Sequence, residues 1–220
     1  MIYAGNCEAL YLLVSGRVKV ATTSSNGREA TLRIVAAEGL FGECCLLMRQ
    51  VSEHAVALDK VQLMAWTRSE VRQEVERDPR LGLALIEELI ISKMEMEDRI
   101  QASAFCSVPQ RLMLSLLQLA RELGEEQADG ALQMPSLTHQ VIAEYVGTTR
   151  ENLSVQMRLL SHLKLIRYTR KHIQVYCEAM EKALRNNGVG LRQSHVDSAL
   201  RRTDISSYAD SAASAPRVAL

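Results

Sequence analysis

The sequence predicts an α+β fold in which a small β-barrel or β-sandwich, a long helix and a winged helix-turn-helix follow one another. Short strand-forming segments separated by turns occupy residues 9–66. A stretch with helical periodicity then runs from Pro79 to about Ala104, with Gly82 as its one potential break. Finally, "LTHQVIAEYVGTTRENLSVQMRLL", residues 137–160, has the pattern of two short helices joined by a glycine turn.

The composition excludes several classes of protein. The 26 basic and 26 acidic residues of the 220-residue chain cancel, so only local charge can indicate partners. No segment reaches the ~18 apolar residues of a membrane span, and the N-terminus lacks the features of a signal peptide. Five cysteines without a CxxC pair argue against a disulfide framework and a metal site, and they predict a reducing cytoplasm. Adjacent Cys44 and Cys45 are interpreted as small packing residues rather than a redox pair.

The turns of the N-terminal part, residues 1–77, predict its β structure. "ALYLLVSGRVKVATT" leads into "SSNGRE", where Asn26-Gly27 is a strong hairpin signal, and "ATLRIVA" follows as the next strand. The glycine-bearing "EGLFGECCLLM" and a further strand region, "HAVALDKVQLMAWT", complete the pattern. This spacing of short strands is typical of an all-β barrel or sandwich.

A long helix is predicted over residues 78–107, and its pattern indicates a dimer. Asp78 can cap the helix and Pro79 suits its first turn, whereas Val108-Pro109 ends it. Apolar and small residues alternate by four and three along one face, as in a coiled coil. The residues predicted to form the dimer contact are Ile86, Leu89, Lys93, Met96 and Ile100. The alternative is that this face packs only on the protein's own β domain.

The helix-turn-helix lies in a second unit, residues 108–183. Thr138 is expected to cap the first helix, and Gly147 to take the left-handed conformation that ends it. "QRLMLSLLQLARELG" precedes the pair as a helix, "EEQADGALQMPS" is predicted to be a polar loop, and "LIRYTRKHIQVYC" to be two strands around a basic turn. Residues 184–220 lack periodicity and are predicted to be a disordered tail. The buried faces of the pair are predicted to consist of Ile142, Ala143 and Val146 on the first helix and Leu153, Met157 and Leu160 on the second.

The start of the second helix has the chemistry of DNA reading. Arg150 can donate two hydrogen bonds to guanine, and Glu151 can accept one from cytosine. The alternative is that Thr148 and Glu151 form a capping box that only stabilises the helix. Residues 138–172 carry six basic and two acidic side chains, a local net charge of +4 that favours phosphate contact. The predicted DNA-binding residues are Thr138, His139, Thr148, Thr149, Arg150, Glu151, Ser154, Val155, Arg158, Arg170 and Lys171.

The order of these units resembles the family of the cyclic-AMP receptor protein and the anaerobic regulator of fumarate and nitrate reduction, the CRP/FNR family. The resemblance is carried by "LYLLVSGRVKV", "NGRE", "LFGECCLL", "DPRL" and "IAEYVGTTRENLSVQMRLL". It implies a jelly-roll sensor domain of the cyclic-nucleotide-binding type, a homodimer on an inverted-repeat DNA site, and control of transcription through RNA polymerase. Family chains carry a further helix and strand before "IYAGN", so an upstream native start or a reduced barrel is expected.

The resemblance also implies an effector pocket, and the sequence departs from it there. Cyclic-AMP sensors place an arginine after the "FGE" segment, where this sequence has Val51 or Ser52, and Arg49 lies earlier. Two further residues, Met96 and Glu97, replace the hydroxyl side chains that contact adenine. Cyclic AMP is therefore not expected, and neither is an iron-sulfur cluster, because the clustered N-terminal cysteines of that branch are missing. The pocket is assigned to Gly42, Glu43, Cys44, Cys45, Met96 and Glu97; its effector is unknown, or absent with Met48, Met96 and the cysteine pair filling the space.

Differences in the DNA-binding part concern specificity. Val155 stands where family members commonly have an arginine, so one base preference is expected to change. Lys164 replaces the usual glycine after the second helix. Two rival interpretations are a cyclic-nucleotide-binding module, as in channels or kinases, and a thiol redox sensor without DNA reading. The sequence shows neither a membrane or catalytic segment nor an activated thiol arrangement, so no enzyme is predicted.

Overall fold

The computed structural model describes residues 1–47, residues 51–189 and the backbone of residues 217–219. The chain divides into two compact units within the long helix, after Lys93, and the C-terminal strand belongs to the first unit. The strands are β1 (Tyr3–Ala4), β2 (Ala9–Ser15), β3 (Val18–Thr23), β4 (Glu29–Val35), β5 (Leu40–Phe41), β6 (Glu53–Ala57), β7 (Gln62–Thr67), β8 (Glu125–Glu126), β9 (Leu132–Pro135), β10 (Ile166–Tyr168), β11 (His172–Val175) and β12 (Arg217–Ala219). The α-helices are α1 (Arg68–Arg77), α2 (Pro79–Phe105), α3 (Val108–Leu123), α4 (His139–Val146), α5 (Arg150–His162) and α6 (Cys177–Asn186).

Two four-stranded antiparallel sheets form the first unit, with the orders β1-β6-β3-β4 and β12-β7-β2-β5. Its core lies between them, because one apolar cluster combines Val18 and Ala55 of the first sheet with Leu13 and Leu63 of the second. The predicted hairpin is confirmed: β3 pairs with β4, and Gly27 in the turn has a φ of 79°. A 3₁₀ helix, Glu43–Leu47, follows β5. The predicted two-sheet β domain is therefore confirmed.

Helix α1 is the element of this unit that the sequence pattern did not indicate. Its sequence is almost entirely polar, and Val71 is the one buried residue in it. Such a helix has no apolar periodicity to reveal it. Its N-terminus is set by a capping box, in which Thr67 accepts from the Glu70 amide while the Glu70 carboxylate accepts from the Thr67 amide at 2.7 Å.

Helix α2 begins at the predicted proline, and the Asp78 carboxylate accepts from the Arg80 amide at 3.1 Å. It runs without interruption for 27 residues, none of which is buried in the single chain. Among the described residues of the chain, no helix has both the length and the apolar content that crossing a bilayer requires.

The second unit is a winged helix-turn-helix with a four-stranded antiparallel sheet of order β10-β11-β9-β8. The prediction of a polar loop at residues 125–136 is wrong, because this segment forms the β8–β9 hairpin. Glu125 pairs with Gln133, and the turn is closed where the Gly130 amide donates to the Gln127 carbonyl at 2.9 Å. With only two residues in β8, the sequence offers no alternation that could have indicated a strand.

The predicted start of the tail also needs correction. Helix α6 continues to Asn186, because Leu184 is fully buried within the unit. At the other end of the predicted tail, residues 217–219 form β12, which pairs with β7. The remainder of that prediction, residues 190–216, lies outside the described residues.

Candidate functional site

The turn between α4 and α5 is built as the sequence predicts. The Thr138 hydroxyl accepts from the Val141 amide at 3.2 Å and so caps α4. At the other end Gly147 is left-handed, with φ 74° and ψ 50°. One carbonyl, that of Ala143, accepts from the Gly147 amide at 2.9 Å and from the Thr148 amide at 3.0 Å. The predicted inward residues are all buried: Ile142, Ala143, Val146, Leu153, Met157 and Leu160.

The second helix starts one residue later than a Thr148–Glu151 capping box requires. Thr149 is its N-cap and accepts from the Asn152 amide at 3.2 Å. Thr148 cannot have this role because its backbone completes α4, and its hydroxyl accepts from the Asn152 side chain at 3.1 Å. The proposed Thr148–Glu151 capping box is therefore wrong. Glu151 lies at the second position of α5 with its side chain exposed.

The exposed face of α5 brings together four of the predicted DNA-binding residues: Arg150, Glu151, Val155 and Arg158. Val155 is 50% exposed, so its side chain is not part of the buried face of the helix. The Arg158 Nε lies 3.4 Å from the Ser154 carbonyl. The face thus presents two cations, an anion and an apolar side chain between residues 150 and 158.

Ser154 and His139 contact each other rather than standing alone. The Ser154 hydroxyl lies 2.9 Å from His139 Nδ1 and donates to the Arg150 carbonyl at 2.8 Å. The His139 ring also lies 6.0 Å from the Tyr168 ring, centroid to centroid. His139 and Ser154 therefore connect the start of α4 to α5 and to the wing.

The wing presents the predicted basic turn between β10 and β11. The Thr169 hydroxyl accepts from the amides of Lys171 and His172 at 3.2 and 3.1 Å, which shapes the turn. Arg170 and Lys171 are exposed at its tip. Lys164, before β10, has a φ of 57°, which lies in the left-handed region that residues other than glycine rarely adopt.

Two arginines that the sequence analysis missed hold the C-terminal end of α4. Arg99 of α2 donates to the Tyr145 carbonyl at 2.7 Å, and its guanidinium carbon lies 4.0 Å from the centre of the Tyr145 ring. Arg111 of α3 donates to the carbonyls of Val146 and Gly147, both at 3.2 Å. Positive charges at this position also interact favourably with the negative end of the helix dipole. No local motif could have indicated these contacts, since they join residues 35 to 46 positions apart.

In the first unit, Glu43 of the predicted effector pocket belongs to an internal ion pair. The Glu43 carboxylate accepts from Arg33 of β4 at 2.6 Å, and Arg33 also donates to the Ser92 hydroxyl of α2 at 3.2 Å. The side chains of Arg33 and Glu43 are only 20% and 22% exposed. Gly42 precedes this pair with φ 85°, and a Cβ there would lie 2.6 Å from the Ala9 carbonyl oxygen, so a side chain is excluded.

The other residues predicted for that pocket are not brought together in one unit. Cys44 is half-buried and Cys45 is buried, each against a different apolar cluster of the first unit. Met96 and Glu97 belong to the part of α2 in the second unit, where both are exposed. Met48 and Arg49 lie outside the described residues. Within the described ranges, no group of three or more His, Cys, Asp and Glu side chains is arranged to hold a metal ion.

The predicted dimerisation face of α2 is exposed in the single chain. Ile86 is 53% exposed and Ile100 is 62% exposed. Leu89 and Met96 are similarly accessible, and Lys93 is exposed between them. Large apolar side chains also flank this seam, among them Leu83, Ile90 and Met94. Contiguous exposed apolar surface of this kind marks an interaction site.

Comparisons with known protein families match both units. Residues 4–78 match the cyclic nucleotide-binding domain family, and residues 110–183 match the Crp-like helix-turn-helix domain family. The two matches cover the β domain with α1 and nearly all of the winged helix-turn-helix.

Curated proteins and a solved structure extend the similarity over the length of the chain. The global nitrogen regulator of a Nostoc species is 31% identical over 172 residues, which are 77% of each chain. A CRP-like cAMP-activated global transcriptional regulator of Mycobacterium tuberculosis is 27% identical over 170 residues, covering 76% of this chain and 75% of that one. A solved CRP/FNR-family regulator from Thermus thermophilus has a TM-score of 0.68 and 25% identity, covering 83% of this chain and 92% of the other.

Proposed function

Because the chain belongs to the CRP/FNR family of helix-turn-helix transcription regulators, we propose that it binds an inverted-repeat DNA site as a homodimer through α5. One observation carries this proposal: the Thr149 cap starts α5 so that Arg150 and Glu151 are exposed in its first turn. The N-terminal residues of such a helix meet base edges when it lies in the major groove. The site of action is the cytoplasm, and RNA polymerase is the partner through which binding alters transcription.

We infer that three side chains on the exposed face of α5 read bases. Arg150 donates two hydrogen bonds to guanine, and Glu151 accepts from the amino group of cytosine. Val155 lacks a donor and instead contacts the methyl group of thymine. Ser154, whose hydroxyl is already bonded to His139 and the Arg150 carbonyl, orients the helix rather than reading a base.

Phosphate contact is the role of the basic residues around this face. Arg158 lies further along α5, while Arg170 and Lys171 lie at the tip of the wing. Thr138 and His139 lie at the N-terminus of α4, where backbone amides and the helix dipole favour an anion. These contacts position the protein without selecting a sequence.

The homodimer forms along α2. Its support is the apolar stripe that the single chain leaves exposed, which includes Ile86, Leu89, Met96 and Ile100. Two copies of this stripe cover each other in a parallel coiled coil. The two copies of α5 then read two half-sites one helical turn apart.

The sensor domain works without a cyclic-nucleotide effector. The Glu43 carboxylate, which the family resemblance assigns to the effector pocket, is paired internally with Arg33, which also bonds Ser92. A ligand at this position must first break that pair and bear its desolvation cost. Melting of the protein with a panel of cyclic nucleotides and 2-oxo acids is expected to show no shift. A large shift with one compound would identify an effector and contradict this part of the proposal.

Selection of bound duplexes from a random DNA library, at moderate salt and without added effector, tests the main proposal. The expected result is an enriched inverted repeat with half-sites one helical turn apart. The matched control is the same selection with Arg150→Ala and Glu151→Ala together, which removes both proposed readers but leaves the wing intact. Enrichment of one identical sequence by both proteins, or of no sequence by the wild type, would contradict reading through α5.

A further inference from the structure

A third cysteine lies beside the adjacent pair at the start of the 3₁₀ helix. Cys7, in the link between β1 and β2, directs its thiol to the Gly42 carbonyl at 3.2 Å and to the Ala9 carbonyl at 3.2 Å. The Cys45 amide donates to the same Gly42 carbonyl at 3.1 Å. The Cys7 side chain and the Cys45 backbone therefore converge on one oxygen atom, although 37 residues separate them in sequence.

Gly42 makes this approach possible. A Cβ at that position would lie 3.0 Å from the Cys7 sulfur and 2.9 Å from the Tyr11 ring. Because Gly42 has no side chain, the Cys7 thiol can approach the backbone that precedes the 3₁₀ helix. The same thiol packs against both apolar clusters of the unit, of which one includes Cys44 and the other Cys45.

The pKa values of the thiols distinguish the members of the cluster. The neighbouring Cys7 thiol lowers the pKa of Cys45, whereas the neighbouring Cys45 and then burial raise the pKa of Cys7. Burial and the neighbouring Glu53 raise the pKa of Cys44. Cys45 is thus the member that ionises first, and Cys7 is the protonated partner that faces it. A thiolate, not a thiol, is the group that attacks an oxidant.

We infer that Cys7 and Cys45 form a thiol pair that a hydroperoxide oxidises to an intramolecular disulfide. The Cys45 thiolate attacks the O–O bond of hydrogen peroxide and becomes a sulfenic acid, and the released hydroxide takes up the Cys45 proton as water. The Cys7 sulfur then attacks the Cys45 sulfur, forming the S–S bond, and the Cys7 proton leaves with the displaced hydroxide as a second water. Two thiols lose two electrons and one peroxide gains them.

A Cys7–Cys45 disulfide would join two segments of the first unit close to the Glu43 ion pair. The disulfide joins the β1–β2 link to the 3₁₀ helix, two residues from Glu43, whose carboxylate pairs with Arg33. Cys7 is half-buried and Cys45 is buried beside it, so the attack on Cys45 requires an oxidant as small as hydrogen peroxide, and larger thiol reagents are hindered. This inference goes beyond the proposed function and does not depend on DNA binding.

The test is peptide mapping of the full-length protein. Fully reduced protein is treated with hydrogen peroxide, its remaining thiols are alkylated in denaturant, and it is digested with trypsin without reductant. The expected product joins the peptides of residues 1–17 and 34–49, with fragment ions assigning the bond to Cys45. Cys44, Cys106 and Cys177 are expected to remain alkylated.

Serine variants make the assignment specific. Cys45→Ser and Cys7→Ser are each expected to abolish the linked peptide, whereas Cys44→Ser and Cys106→Ser are expected to retain it. Melting curves of the reduced proteins establish that each variant is folded, and the two independent losses guard against misfolding of one. Full alkylation of all five cysteines after peroxide would overturn the inference. So would a bond from Cys7 to Cys44, or a sulfinic acid on Cys45 beside an alkylated Cys7.

Discussion

Arg150 and Lys171 carry the same charge, yet we expect them to contribute differently to DNA binding. Arg150→Ala removes the proposed base contact and is expected to weaken binding to the selected site by about 1–3 kcal/mol while leaving non-specific binding nearly unchanged. Lys171→Ala removes a phosphate contact at the exposed wing tip. It should weaken all duplexes alike and reduce the salt slope by about one. Titrations of specific and scrambled duplexes at several salt concentrations measure both effects.

Replacing Val155 tests whether a single side chain of α5 can add a base contact. Its side chain is 50% exposed, so an arginine can be introduced without disturbing the buried face of α5. Val155→Arg is expected to move the preferred base at one position of each half-site toward guanine. Val155→Lys is the matched control, because it adds charge without the bidentate geometry and should raise affinity without the same shift. An unchanged selected site in Val155→Arg would contradict a reading position for this residue.

Gly147 is where backbone conformation sets the helix-turn-helix geometry. Its φ of 74° suits glycine, and space around a Cβ is open, so any penalty comes from the backbone alone. Gly147→Ala should destabilise the fold by about 1–2 kcal/mol. Gly147→Asn should cost less, because asparagine tolerates the left-handed region. Thermal melting followed by circular dichroism compares the two, and equal melting temperatures would argue against a strained turn.

At the scale of elements, the stability of α4 is expected to depend on residues outside it. Arg111 donates to the carbonyls of Val146 and Gly147, and also to the Cys106 carbonyl between α2 and α3 at 3.3 Å. Arg111→Met keeps much of the side chain but leaves these acceptors without their charged donor. A loss of about 1–3 kcal/mol is expected, and Arg111→Lys should recover part of it through the helix dipole.

Arg185→Met is the control for that experiment. Arg185 bonds Glu181 at 2.9 Å on the surface of α6 with 66% of its side chain exposed. Exposed pairs of this kind contribute about 0.3–0.5 kcal/mol. A melting temperature that falls equally in Arg111→Met and Arg185→Met would show that α4 does not depend on the arginine.

An element could be predicted from the sequence when its own residues contain a cap, a turn glycine or a periodic buried face. Helices α4 and α5 combine a cap, a glycine and a buried face, and each of these is legible in a few residues. Helix α1 has one buried residue and β8 has two residues in total, so neither has a pattern. The one-residue error at the start of α5 arose because Thr148 and Thr149 are both good caps. Only the hydrogen bonds to Ala143 decide between them.

The candidate sites divide in the same way. Arg150 and Glu151 are adjacent in sequence, so their joint exposure followed from helix phase alone. Arg33 meets Glu43, and Cys7 meets Cys45, only after the strands have paired. Contacts of this kind leave no periodic pattern or fixed spacing in a single sequence. The sequence therefore could not predict that Glu43 is paired with Arg33 or that Cys7 lies beside Cys45.

At the scale of the whole molecule, the central expectation is the dimer. Ile86 and Ile90 offer a matched pair, since they are 53% and 51% exposed on the same helix but only Ile86 lies on the predicted seam. Ile86→Glu is expected to raise the dimer dissociation constant at least tenfold, or about 1.4 kcal/mol, because it places a charge in the contact of both copies. Ile90→Glu should have a smaller effect. Sedimentation across a concentration series measures both constants.

Either of two results would contradict the seam. Equal weakening by both variants would mean that a broader face of α2 is covered, and an unchanged dimer in Ile86→Glu would place the contact elsewhere. A monomeric Ile86→Glu protein should still bind a single half-site weakly, because α5 and the wing are untouched by the change.

The shared carbonyl of Ala143 limits how this regulator can diverge. Since both amides of the Gly147–Thr148 turn are bonded to that one oxygen, the turn has a fixed length. Inserting a single residue in this turn would separate the two amides from their shared acceptor and displace the start of α5, with Arg150 and Glu151, relative to α4. Gene duplicates of this chain can therefore acquire new target sites through substitutions along α5. An insertion or deletion between the two helices would disrupt the turn, even if it changes only one codon.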